Sequence, residues 1–248
     1  MPALRAVLFD LWGTLIVDDP DTSRQRDLMR RAATHELLAD LGFAHDHDDI
    51  AAAFLAAGAE HERLHHADRD LSTRGRTLLY LQHVDPALLD SVDEDGWRRL
   101  DDVILTPALT HRPAIMPGAK EALAEVRALG IPTGLISNAG ITPGFVLRQI
   151  LDDFGLLRLL DITVFSDEVE LCKPAPDIFA GALAELGVDA PDAAFVGDQP
   201  RLDVFGARQA GMWSVQIGDL SAEGMTPHAR ISSLAELVPA LRSLRLID

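Results

Sequence analysis

The chain has 248 residues, 48% hydrophobic and 25% charged, a balance that suits a folded globular protein and excludes disorder and a membrane-embedded chain. Its 39 acidic against 22 basic side chains give a formal net charge of −17 with the basic residues dispersed, which argues against a nucleic-acid partner. One cysteine, Cys172, allows no intrachain disulfide. With no apolar run near the ~20 residues of a membrane span and no signal-like N-terminal segment, the expectation is a cytoplasmic protein without a membrane partner.

In chain order, residues 5–9 form a short apolar run ending at Asp10 and followed by Gly13, the pattern of a strand buried on both faces. Helical stripes then succeed one another at 28–41, 50–64, 77–81 and 97–104 with no clear strand between them. Strand-like runs return at 132–136, 162–165, 193–196 and 213–217, separated by helical patterns at 118–129, 144–157, 176–186 and 203–210. This alternation predicts an α/β fold with a Rossmann-like, doubly wound parallel sheet. Residues 1–17 and 110–248 would form its core, and residues 18–109 an inserted α-helical cap bounded by turn-like polar segments.

The chemistry-bearing residues fall at the ends of those strands, where doubly wound sheets bind ligands. Asp10 and Asp198 each end an apolar run about 190 residues apart in sequence, and two carboxylates brought to one rim suit a hard cation such as magnesium. Asp203, five residues after Asp198, can orient Lys173 or hold the metal's water shell. Ser137-Asn138 ends another strand, where a hydroxyl and the following backbone N–H groups can bind a phosphoryl oxygen. Lys173 stands in Cys172-Lys173-Pro174-Ala175-Pro176, a restrained lysine able to offset a nucleophilic carboxylate and a substrate oxyanion together. Each has a plainer reading: strand-end Asp and Ser residues often cap helices, and an isolated lysine is usually solvated.

Taken together, Asp10-Leu11-Trp12-Gly13-Thr14-Leu15, Leu135-Ile136-Ser137-Asn138, Lys173-Pro174-Ala175-Pro176-Asp177 and Gly197-Asp198 with Asp203 resemble the four motifs of the haloacid dehalogenase superfamily, in the same order. The resemblance spans residues 3–17 and 112–217. It implies a magnesium-dependent hydrolase acting on a small phosphorylated molecule, with a helical cap after the first motif. Asp10 would be the nucleophile, Ser137 and Lys173 would act with it as catalytic residues, and Ser137, Asn138 and Lys173 would bind phosphate. Mg2+ would be held by Asp10, Asp198 and the backbone carbonyl of Trp12.

Trp12 departs from the pattern, because phosphatases of this superfamily place there a second aspartate that protonates the leaving alcohol and then activates water. Indole does neither. Three alternatives follow. A 2-haloacid dehalogenase shares an aromatic residue at this position, but usually lacks Asp198 with an aspartate five residues on. A phosphonate hydrolase needs a cap lysine, and residues 18–109 contain none. A non-catalytic binding protein would have no reason to keep Asp10, Ser137, Lys173 and Asp198 together. Asp18 or a cap residue is the candidate replacement base.

Other features receive plainer readings. His61 and His65, at i and i+4 on a cap helix, lack an evident third ligand and are expected on a solvated face; Cys172 is expected to pack. Arg24, Arg26, Arg74 and Arg76 either meet an anionic substrate tail or face water. The sequence sets neither the substrate nor the oligomeric state.

Overall fold

A computed structural model describes residues 4–248; the first three residues of the expected core segment 1–17 lie outside the described residues. The strands are β1 (Ala6–Phe9), β2 (Ile16–Val17), β3 (Ala114–Ile115), β4 (Thr133–Ser137), β5 (Ile162–Phe165), β6 (Ala193–Gly197), β7 (Trp213–Ile217) and β8 (Ala229–Ile231). Six of them form one parallel sheet in the order β5-β4-β1-β6-β7-β8, which places β1 between β4 and β6.

The strong apolar character of β1 has a direct cause. Val7 and Phe9 enter one apolar cluster and Ala6 and Leu8 enter another, so alternate residues serve opposite faces of the sheet and all four are fully buried. Helices α6 (Ala119–Ala128) and α11 (Leu237–Ser243) cover the first face through Leu123, Val126, Leu237 and Leu241. Helix α9 (Pro176–Leu186) covers the second through Ile178, Phe179 and Leu183. Between α6 and α9 lie α7 (Gly144–Asp153) and the single turn α8 (Ser166–Val169). Pro176 at the first helical position and Gly187 in the left-handed conformation bound α9 as the chain's composition predicts.

The antiparallel pair β2-β3 matches Ile16 with Ile115 and Val17 with Ala114, so the chain leaves the sheet layer and returns to it at one place. Between these strands run α1 (Pro20–Asp40), α2 (His47–His66), α3 (Thr73–Val84), α4 (Leu88–Ser91) and α5 (Glu94–Leu105). They share an apolar cluster of their own, including Leu38, Ile50, Phe54, Leu81, Trp97, Leu100 and Ile104. Asp19, Ser72 and Asp93 cap the starts of α1, α3 and α5 by accepting backbone N–H bonds.

Several expected bounds change in detail, and the stripe at 28–41 belongs to a helix that already starts at Pro20, where Asp19 caps it. The pattern at 144–157 ends as a helix at Asp153, since Gly155 takes a positive φ that closes the turn. The pattern at 203–210 divides into a six-residue π-helical segment, Pro200–Phe205, and the short α10 (Gly206–Gln209). The helix expected at 77–81 extends to Thr73–Val84, because its start is set by the Ser72 cap rather than by apolar spacing.

Candidate active site

Adjacent strands β1 and β6 pair Phe9 with Val196, so Asp10 and Asp198 emerge side by side at the C-terminal rim. The turn after Asp10 is drawn tight by Leu15 and Ile16 N–H groups donating to the Leu11 carbonyl and by Gly13 N–H donating to Ile16 O; these bonds do not use the Trp12 carbonyl. Gly13 has φ +80°, and a Cβ there would lie 2.7 Å from Asp198 Oδ2, so only glycine lets the two segments approach. The carboxylates of Asp10, Asp198 and Asp203 each offer an oxygen within 4.8 Å of the others.

Lys173 reaches this cluster from the loop before α9. Its Nζ donates to Asp10 Oδ1 at 2.6 Å and to Asp203 Oδ1 at 2.8 Å, and it is 1% exposed. Gln199 N–H donates to Asp203 Oδ2 at 2.8 Å, so both Asp203 oxygens are engaged and this residue orients the lysine. Asp10 Oδ2 and Asp198 Oδ1, by contrast, are buried oxygens with no hydrogen-bond partner. Such atoms are costly unless something pairs with them. Two unpaired carboxylate oxygens beside a lysine fit a small oxygen-seeking divalent cation.

The electrostatics agree. Burial pushes the Asp10 carboxyl up to about 7, against the opposing pull of Lys173. Burial also raises Asp198, helped by the Asp203 charge. Burial alone would lower Lys173, but the facing Asp10 and Asp203 carboxylates outweigh it and hold the ammonium above its ordinary value.

Ser137, the last residue of β4, is fully buried at the same rim, and its Oγ donates weakly to the Asn138 carbonyl at 3.4 Å. The Asn138 side chain faces Lys173 instead of open space. Lys173 N–H donates to Asn138 Oδ1 at 2.7 Å, and Asn138 Nδ2 donates to the Lys173 carbonyl at 2.9 Å. Its amide thus fixes the backbone of the lysine, so only the backbone N–H of Asn138 is left to meet an anion.

Trp12 is half-buried against the apolar cluster beneath the first face of the sheet and lines a cleft of about 920 Å³ between the sheet rim and the helices. Asp18, Arg26, Phe54, Tyr80 and Ile141 line the same cleft. Arg26 lies 5.8 Å from the centre of the indole ring and pairs with Asp18 Oδ2, leaving Asp18 Oδ1 buried and unpartnered.

The remaining arginines separate clearly. Arg24 is exposed, and Arg74 pairs with Asp101 and lies over the Trp97 ring. Arg76 is wholly buried, and its Nη2 donates to Asp70 Oδ2 at 2.6 Å and to the Ala139 carbonyl at 2.8 Å. Ser166 Oγ accepts from Ala139 N–H at 2.7 Å and itself donates to Asp70 Oδ2. Asp70, Arg76 and Ser166 therefore brace the loop that carries Ser137 and Asn138. Arg76, expected either to meet an anionic substrate tail or to face water, does neither, and sequence reading did not link it with Asp70, Ser166 or the Ala139 carbonyl 63 residues away. His61, expected on a solvated face, is 5% exposed and bonded to Asp70 at 2.7 Å, because the loop after α2 folds back to supply the carboxylate. Cys172 is buried, as expected, and burial pushes its thiol up to about 12.

Residues 4–211 match the family model of the haloacid dehalogenase-like hydrolases. The chain belongs to this family. Among similar proteins, phosphoglycolate phosphatase of Yersinia pseudotuberculosis is 27% identical over 96% of the chain and 94% of its own length. The crystal structure of a 2-haloacid dehalogenase from Pseudomonas syringae covers 97% of the chain and 99% of that protein, with a TM-score of 0.68 and 25% identity. That of a haloacid dehalogenase-type phosphatase from Thermococcus onnurineus covers 96% and 97%, with a TM-score of 0.64 and 26% identity. The chain is thus a hydrolase with the family's α/β Rossmann-like fold, and no helix among the described residues is long and apolar enough to cross a membrane.

Proposed function

We propose that this hydrolase is a magnesium-dependent phosphatase that transfers the phosphoryl group of a small metabolite to Asp10 and then to water. The observation that carries the reading is the pair of buried, unpartnered oxygens Asp10 Oδ2 and Asp198 Oδ1 beside the Lys173 ammonium. These two oxygens and the Trp12 carbonyl would hold Mg2+, which when bound neutralises charge on the phosphoryl oxygens. An Asp10 oxygen attacks phosphorus, and the bond from phosphorus to the leaving oxygen breaks. Lys173 holds Asp10 in place and offsets charge on the transferring group, while Ser137 and the Asn138 backbone N–H orient its oxygens. Water then attacks the aspartyl phosphate, releasing phosphate and restoring the carboxylate.

Residues 18–109 act in this reading as a cap that closes over the leaving group, with the cleft beside Trp12 as its chamber. Since Trp12 supplies no proton, the departing oxygen leaves as an anion and acyl or aryl phosphates are favoured over alkyl phosphates. Asp18 Oδ1, unpartnered in the same cleft, is the candidate to activate water.

The dehalogenase neighbour and the aromatic Trp12 favour a second reading, in which Asp10 attacks carbon and displaces halide without metal. That chemistry gives no use to the unpaired oxygen of Asp198, so it ranks second. Phosphate release from aryl and acyl phosphates with Mg2+ or EDTA, beside halide release from a 2-haloacid, separates them. The phosphatase reading requires release that EDTA abolishes; metal-independent halide release overturns it.

A further inference from the structure

At the junction between α2 and the sheet layer, three donor atoms of two different residue types converge. His61 and His65 stand one turn apart on α2, and both Nε2 atoms face one oxygen, Asp70 Oδ1, at 2.7 Å and 3.3 Å. The three ligand atoms lie within 4.8 Å of one another. Ligands about 2.0 Å from a tetrahedral zinc-class ion lie about 3.3 Å apart, the separation His65 already has; opening the His61 contact by about half an ångström gives the same edge.

The surroundings are those of a ligand set. Asp70 is fixed on the side away from the imidazoles, where Arg76 and Ser166 both donate to Oδ2, while Leu71 N–H donates to Oδ1 at 2.7 Å. Ligating carboxylates are commonly oriented by such outer partners. His65 Nε2 is buried and meets Asp70 Oδ1 at 3.3 Å without forming a hydrogen bond, so a ring nitrogen aimed at the cluster is left unsatisfied.

We propose that His61, His65 and Asp70 form a second metal site, for a zinc-class divalent ion with water as fourth ligand, separate from the carboxylate cluster at Asp10 and Asp198. Its place gives it a task. Asp70 N–H donates to the Glu170 carbonyl, Cys172 N–H donates to the Asp68 carbonyl, and Arg69 pairs antiparallel with Leu171. An ion at this site ties α2 to the segment that leads directly into Lys173.

The test titrates Co2+, a spectroscopic stand-in for zinc, into the full chain in excess Mg2+, which occupies oxygen sites but competes poorly for imidazole. The expected result is one equivalent bound with the visible absorption of a four-coordinate nitrogen–oxygen site. That absorption persists in Asp198→Asn, and affinity falls by at least about tenfold in His65→Ala and His65→Gln, whose part-exposed side chain leaves the fold in place. Zinc should also raise the thermal midpoint of the native chain and not that of either His65 variant. Absence of the absorption, equal affinity in the His65 variants, or loss in Asp198→Asn alone overturns the proposal and leaves a hydrogen-bonded network in its place.

Discussion

Asn138 and Lys173 hold each other through two hydrogen bonds, one in each direction between the asparagine amide and the lysine backbone. The ammonium that meets Asp10 is therefore positioned by a side chain on a different strand end. Asn138→Ala removes both bonds, at a cost of about 1–3 kcal/mol in stability. Activity should fall further than stability requires, about 10²-fold in kcat, because small misplacements of a catalytic group are costly. Thermal unfolding and steady-state kinetics on the same preparation check this; a folded Asn138→Ala protein with native kcat would show that Lys173 needs no such support.

The titration of Asp10 predicts how pH and Mg2+ act together. Its folded value of about 7 lies above its ordinary 3.8, so between those limits the folded chain holds a proton that the unfolded chain has released. Stability contributed by Asp10 is therefore full below 3.8 and falls as pH rises toward 7. Divalent binding displaces that proton, so the gain in thermal midpoint on adding Mg2+ should be larger at pH 8 than at pH 5. Asp10→Asn should lose most of the gain at both. An Mg2+ effect that is flat with pH, or intact in Asp10→Asn, would contradict this assignment.

Replacing Trp12 with aspartate should raise alkyl-phosphate turnover, toward the ~10²- to 10⁴-fold that a positioned acid contributes. The indole is half-buried, so its loss should cost about 1–3 kcal/mol, less than a large-to-small change at a fully buried site. Asp18→Asn in the native background should slow breakdown of the aspartyl phosphate, which rapid-quench kinetics reads as a larger burst and a slower steady state. Equal handling of alkyl and aryl esters by the native enzyme, with no gain in a folded Trp12→Asp variant, would show that another group supplies the acid.

Much of the sheet is legible from the chain alone, since β1, β4 and β6 bury both faces and so read as continuous apolar runs ending in polar residues. That same pattern brings Asp10, Ser137 and Asp198 to one rim. The pair β2-β3 is two residues long on each side and β8 three, too short for any period to register. The shared role of Arg76 and Asp70 is hidden for another reason: charged side chains are normally solvated, and the burial of these two depends on Ala139 and Ser166, which only the fold brings near. The side-chain role of Asn138 is hidden in the same way.

In the proposed mechanism Asp10 carries the phosphoryl group during turnover. Native protein mixed with an aryl or acyl phosphate and Mg2+, quenched in acid within the burst and digested for mass spectrometry, reads this directly. One phosphoryl group is expected on the peptide containing Asp10, absent with EDTA and absent in Asp10→Asn. Phosphate released in Mg2+ from native protein with no adduct at Asp10, or release that persists in a folded Asp10→Asn variant, would contradict it.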